Sequence, residues 1–345
     1  MPVSQFMELG LSHPEHGYYM TRDPLGGAGD FVTAPEISQI FGELIGLWAA
    51  EVWRLMGTPD TISLIELGPG RGTLMRDALR AAKMVPDFRK ALRVHLVETS
   101  RVLERYQRAT LSDCGAAIEW HPTLAGVSEA PAIMIANEFF DALPVHQIIK
   151  QRDGWHERVV RLNESRELAF GVAAEPLLDI EQMLPSSARN APYDAIYEWR
   201  TDDITLDLGR RVAQGGAALV IDYGHVQSAP GDTLQALREH RYCDPLAAPG
   251  SADLTAHVDF AALARAAERA GACVHGPIAQ AMFLRRLGID TRATMLKRSA
   301  TPGQARQIDA AVARLTAGGK TGMGAMFKAI AFSHPHLDTL PGFER

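Results

Sequence analysis

Residues 62–73 carry the densest chemistry in the chain: Ile-Ser-Leu-Ile-Glu-Leu-Gly-Pro-Gly-Arg-Gly-Thr. An apolar β-type run reaches Glu66 and then breaks into Gly68, Gly70 and Gly72, with Pro69 and Thr73 in the same turn. Leu74, Ala78, Leu79 and Ala82 follow at helical spacing. Strand, glycine turn and helix place a tight loop at the C-terminal edge of a sheet, where open α/β folds bind ligands. A dinucleotide fingerprint spaces its glycines G-x-G-x-x-G; here the third comes one residue early and an acid precedes the first. A second apolar run, Arg93-Val-His-Leu-Val-Glu98, also ends in an acid. The acid closing the second strand of such a sheet takes hydrogen bonds from ribose hydroxyls, and an ionised carboxylate offers only acceptors. The same residues also suit a turn that merely packs strand on helix, with Glu98 solvated. Spacing alone leaves both readings open.

The elements that must position these groups alternate between β and α periodicity. A helix is expected over 101–110, then strands over 116–120 and 132–136. The last of these runs into Asn137-Glu138-Phe139-Phe140-Asp141. If that segment turns helical, its three-residue spacing puts the Glu138 and Asp141 carboxylates on one face. Residues 146–172 alternate around a turn at Arg152-Asp153-Gly154 and read as antiparallel hairpin material inserted into a parallel sheet. A polar connector at 185–192 precedes an expected helix over 195–213 and a buried strand over 216–224 that holds Asp222 and Tyr223. A helix is expected over 253–270, capped by Thr255 or Asp259 and closed by Gly271. Final strands are expected at 273–278 and 326–332.

Upstream, residues 37–56 are apolar around more than half a helical circumference, as in a buried helix. Thr33, Pro35 and Glu36 stand at its start as cap, first turn and capping acid. The glycine-rich run before it, 26–29, suits either a surface loop or a lid closing over a ligand. The expected organisation is an N-terminal lid and helix over 1–60, a core over 61–145 and 215–333, and an inserted hairpin and helical region over 146–214.

Composition narrows the function classes. The 345 residues are 46% hydrophobic and 22% charged, as in ordinary globular proteins, with ample length for a large core. A net charge of −6 without any Lys/Arg block gives nucleic acid no footprint. The three cysteines lie far apart, which argues against a disulfide framework and for a reducing compartment. The twelve histidines show no ligand spacing along the chain, so no metal is expected. Nor does any apolar run reach membrane-spanning length, and the first residues read as neither signal nor transit peptide. The expectation is a cytoplasmic enzyme.

Gly29-Asp-Phe-Val-Thr-Ala-Pro-Glu-Ile-Ser-Gln-Ile-Phe-Gly-Glu43 resembles the signature of the MidA-like methyltransferases, the family of a mitochondrial complex I assembly factor and its bacterial relatives. The likeness extends through His13–Tyr19, Glu66–Thr73, His95–Glu98, Asn137–His146, Gly216–His225 and Ala252–Phe260, nearly the whole chain. The E-x-G-x-G-x-G loop is shared with many methyltransferases that use S-adenosylmethionine. Asn137 departs from the mitochondrial member, which carries His there.

The resemblance implies an α/β, Rossmann-like class I S-adenosylmethionine-dependent methyltransferase fold with an N-terminal helical lid extension and an inserted antiparallel hairpin region. It implies S-adenosylmethionine as cofactor and arginine on a protein partner, such as a respiratory complex I subunit, as acceptor. Neither nucleic acid nor membrane is implied, and the oligomeric state stays open, a homodimer included. The implied cofactor residues are Glu66, Gly68, Pro69, Gly70, Gly72, Thr73, Glu98 and Asn137, with Asp30 in the lid. The implied catalytic acids are Glu138 and Asp141; alternatively Glu138 holds the cofactor and Asp141 caps a helix. Asp222 and Tyr223 are further candidates to line the acceptor pocket, while Tyr18 and Tyr19 pack. A small-molecule methyltransferase and a non-catalytic assembly chaperone remain the competing classes.

Overall fold

The computed structural model describes residues 1–21, 32–129, 131–319 and 321–344. Asp30 and the glycine run before it lie outside the described residues. The chain forms two compact units. One comprises Met1–Phe31, Asp141–Asp202 and His225–Ala262; the other comprises Val32–Phe140, Asp203–Gly224 and Leu263–Arg345. Thus residues 225–262 belong with the unit of the hairpin region, while 32–60 belong with the unit of the glycine loop.

The second unit is built on a sheet whose strands are β1 (Ile62–Leu67), β2 (Leu92–Val97), β3 (Ile118–His121), β4 (Ala132–Asn137), β5 (Gly216–His225), β6 (Cys273–Ala279) and β7 (Phe327–Ser333). They lie in the order 6-7-5-4-1-2-3. Pairing is parallel from β5 through β4, β1 and β2 to β3, whereas β7 runs antiparallel to both β5 and β6. The path reverses between β1 and β4, the switch point at which such sheets bind ligands beyond their carboxyl ends. β1 and β4 are buried along their whole length, as a central parallel strand covered on both faces must be.

The helix Gln39–Leu55 buries Ile40, Phe41, Leu44, Ile45, Trp48 and Val52 in the same core as Leu64, Ile133, Ile135, Leu219 and Ile221 of the sheet. Instead of one helix over 37–56, the chain makes a short turn, Ala34–Ile37, and restarts after Ser38, which is extended and accepts the Ile40 N–H at 3.2 Å. This helix meets Thr73–Ala82 backbone to backbone. A Cβ at Gly46 would stand 2.5 Å from the Ala78 carbonyl oxygen, so only glycine permits the approach.

In the first unit the hairpin forms as expected, with strands His146–Gln151 and Gly154–Leu162. It does not insert into the parallel sheet. With Leu168–Pro176 and Ile196–Trp199 it makes an antiparallel sheet of its own. The helix expected over 195–213 is therefore divided: Ile196–Trp199 is a strand with Tyr197 and Trp199 at alternate positions, and the helix is Asp203–Gln214. The helix expected over 253–270 also begins late. Asp253–Thr255 pairs as a strand, and the helix Phe260–Arg269 is capped by Asp259, whose carboxylate accepts the Ala262 N–H at 3.0 Å. Tyr18 is fully buried with Val3, Phe6, Met7 and Leu254, the packing role expected of it. No described helix is long and apolar enough to cross a membrane.

Candidate cofactor and active site

At the carboxyl edge of β1 the three glycines all adopt positive φ: 61° at Gly68, 54° at Gly70 and 80° at Gly72. Side chains rarely tolerate that conformation. At Gly68 there is also no room, because a Cβ would lie 2.7 Å from the Phe139 ring. The turn is closed by the Gly72 N–H on the Pro69 carbonyl at 2.7 Å, and Gly68 N–H reaches the Val97 carbonyl at 3.1 Å. Thr73 begins the following helix, and its hydroxyl donates to Glu36 rather than pointing into the turn.

Glu66 is buried at the end of β1, and its Oε2 has no hydrogen-bond partner. Burial drives its carboxyl up to about 8, offset only partly by the Met75 N–H. Glu98, just past β2, is likewise pushed up by burial, to about 7, against the Ser100 N–H and the Gln107 amide. Gln107 Nε2 donates to Glu98 Oε2 at 2.9 Å and to the Gly70 carbonyl at 2.8 Å, so one buried amide ties the acid to the glycine loop. Its Oε1 is in turn fixed by Trp120 Nε1 at 2.9 Å. Sequence spacing gave no sign of Gln107, because its role depends on a helix face meeting the loop.

The segment after β4 corrects an expectation. Glu138 to Asp141 is not helical; Glu138 takes a φ of 50° and the chain turns sharply. The cause is Asp222 on β5. Its Oδ2 accepts the N–H groups of Phe139 at 3.2 Å and Phe140 at 2.9 Å, while Oδ1 accepts that of Tyr223 at 2.9 Å. A fully buried carboxylate engaged by three backbone donors anchors the turn instead of lining an acceptor pocket. Glu138 and Asp141 consequently share no helix face, and Asp141 caps no helix.

Glu138 Oε1 accepts the Ala34 N–H at 2.7 Å and the Asn137 amide at 3.2 Å, while Asn137 Oδ1 is buried without a partner. Asp141 falls in the first unit, where it is buried, raises the Tyr19 phenol together with burial and Asp253, and has its carbonyl held by Arg200 at 3.0 Å. Tyr19 is more than packing: its hydroxyl donates to Asp253 at 2.7 Å.

The second unit therefore brings Glu66, Gly68, Pro69, Gly70, Gly72, Glu98, Asn137 and Glu138 to one edge of the sheet. Its buried oxygens, Glu66 Oε2 and Asn137 Oδ1, need donors, and the desolvated Glu98 has lone pairs beyond those taken by Ser100 and Gln107. A ligand with an ammonium group and ribose hydroxyls supplies such donors, so the residues present fit an aminoacyl nucleoside.

Residues 44–278 match the family model of S-adenosyl-L-methionine-dependent methyltransferases. The chain belongs to this family. It is 38% identical over 332 residues to the human protein arginine methyltransferase NDUFAF7, mitochondrial, covering 89% of this chain and 74% of that protein. The Drosophila melanogaster homolog is 36% identical, with 99% of this chain and 84% of that protein covered. A Burkholderia thailandensis crystal structure with bound S-adenosyl-homocysteine is similar at a TM-score of 0.83 and 30% identity, over all of this chain and 90% of that one. The methyltransferase uses S-adenosylmethionine as its cofactor, and its fold is the mixed α/β architecture described above, with a separate antiparallel sheet.

Proposed function

We propose that this methyltransferase transfers a methyl group to arginine on a protein partner, with a subunit of respiratory complex I as the candidate acceptor and the cytoplasm as the setting. The observation that carries the reading is the likeness, along nearly the full chain, to relatives named protein arginine methyltransferases. The edge of the sheet supports it, because Glu66, Glu98 and Glu138 present carboxylates where a cationic cofactor and a cationic acceptor would have to meet.

Bound S-adenosylmethionine supplies an electrophilic methyl carbon on a sulfonium. In this proposal Glu98 accepts the ribose hydroxyls, Glu66 the methionyl ammonium, and the backbone of Gly68, Pro69, Gly70 and Gly72 lies against the ligand. Thr73 contributes by fixing Glu36, and Asn137 offers its unpartnered oxygen to a donor. Asp30 stays a proposal from the sequence alone.

A guanidinium offers no acceptor lone pair and stays protonated. Carboxylates beside it raise its pKa further, so removing its proton before attack is not their task. Glu138 is proposed to grip the planar fork, hold one nitrogen in line, and take its proton as the N–C bond forms; Asp141 stays a proposal from the sequence alone. The chain must also exclude water and hold donor and acceptor at about 3–3.5 Å.

The test supplies methyl-labelled S-adenosylmethionine and the purified chain to an extract from cells lacking its gene, then hydrolyses the protein fraction to amino acids. Label in methylarginine, lost with Glu138→Gln while S-adenosyl-homocysteine still binds, is the expected result. Label confined to small molecules or to another amino acid contradicts it.

A further inference from the structure

β2 and β3 pair in parallel with His95 opposite Glu119 and Val97 opposite His121. Side chains two apart on a strand share a face, so Glu119 and His121 point the same way and the register brings His95 beside them. His95 Nδ1 stands 3.1 Å from His121 Nε2, and Glu119 Oε2 lies 3.9 Å from each nitrogen. We propose that His95, Glu119 and His121 bind a divalent transition metal of the zinc class, which clips the edge strand β3 to β2.

Tetrahedral coordination at about 2.0–2.1 Å sets ligand atoms roughly 3.3 Å apart. The two imidazoles already sit within a few tenths of an ångström of that spacing. Glu119 needs to swing in by roughly 0.6 Å to coordinate, and its side chain, 68% exposed, has the freedom to do so. Two imidazole nitrogens and one carboxylate select zinc, cobalt or nickel over magnesium or calcium, and three protein ligands leave a further position for water. Twenty-odd residues separate the histidines, which is why their spacing along the chain betrays nothing.

The competing reading is a plain hydrogen bond between the two rings, in which Glu119 has no part. The site also touches the rest of the second unit, because the His121 carbonyl accepts the Glu98 N–H at 2.9 Å. Metal binding therefore steadies the strand end beside Glu98, yet the site is independent of what the enzyme methylates.

The experiment titrates Co2+, then Zn2+, into the chelator-treated, tag-free full chain, with thermal unfolding in parallel. The expected result is one equivalent of cobalt with visible d–d bands of low coordination number, displacement by zinc, and a raised melting temperature. Glu119→Gln and His121→Gln should each weaken binding at least about tenfold. His334→Gln, in another close histidine pair, with ring centroids 4.8 Å apart, should leave it unchanged. Glu119 is exposed, so its variant folds, and circular dichroism verifies this. Equal cobalt affinity in wild type and both ligand variants, or no uptake at micromolar metal by the folded wild type, overturns the proposal.

Discussion

Asp222 on β5 holds Phe140 of the neighbouring β4 turn through a 2.9 Å hydrogen bond from the Phe140 N–H to its Oδ2. The same oxygen takes the Phe139 N–H, and that ring in turn packs on Gly68. One buried carboxylate therefore sets both the turn that carries Glu138 and one wall of the glycine loop.

Replacing Asp222 with alanine leaves three backbone donors without their acceptor. Each costs about 1–3 kcal/mol when buried, so Asp222→Ala should lose about 3 kcal/mol or more in urea denaturation and lose methyl transfer with it. Asp222→Asn keeps one acceptor oxygen and should lose less. Equal stability of Asp222→Ala and wild type would remove the anchor from the account.

At Gly68 two penalties coincide, a φ of 61° and a Cβ position only 2.7 Å from the Phe139 ring. Gly68→Ala should weaken S-adenosyl-homocysteine at least about tenfold. Adding Phe139→Leu should recover part of that loss, leaving the strain of about 1–2 kcal/mol that a left-handed non-glycine residue carries. Calorimetry on the two variants separates the contributions; no recovery in the double variant means that the ring is not the obstacle.

Glu66 and Glu98 give the protein an unusual pH dependence. Their folded carboxyls sit at about 8 and about 7, above an ordinary value of 4.5. The folded state thus binds these protons more tightly than the unfolded state, and stability falls as pH rises from about 4.5 through about 8. Glu66→Gln, which cannot ionise, should flatten that slope and be more stable than wild type at pH 8. Donors brought to the carboxylates favour ionisation, so cofactor binding should release protons near pH 7, measurable by calorimetry in buffers of different ionisation enthalpy. Proton uptake on binding would reverse the assignment.

Gln107 is fully buried and joins Gly70, Glu98 and Trp120. Gln107→Leu keeps most of the volume but frees the Glu98 carboxylate and the loop carbonyl. The KM for S-adenosylmethionine should rise about tenfold with kcat little changed, as expected when ground state and transition state lose the same contact. A fall in kcat alone would instead place Gln107 in the chemical step.

Much of the sheet edge proposed to hold the cofactor is legible because its signals are local. Glycines at alternate positions and acids ending apolar runs marked β1 and β2, and the helix Arg101–Thr110 has the bounds its periodicity implied. What stayed hidden depends on partners distant in sequence. The Glu138–Asp141 helix did not form because Asp222, more than eighty residues away, draws those N–H groups into a turn. Ile196–Trp199 looked helical until a strand at His146–Gln151 offered it pairing. Gln107 carries no motif and matters only through what it touches.

The most direct test is calorimetric titration of S-adenosyl-homocysteine into the purified wild type beside Glu98→Ala and Gly68→Val. The account predicts a single site of micromolar affinity in the wild type, lost in Gly68→Val and weakened at least about tenfold in Glu98→Ala, with both variants folded. Unchanged affinity in both variants would contradict the placement of the cofactor at this edge of the sheet.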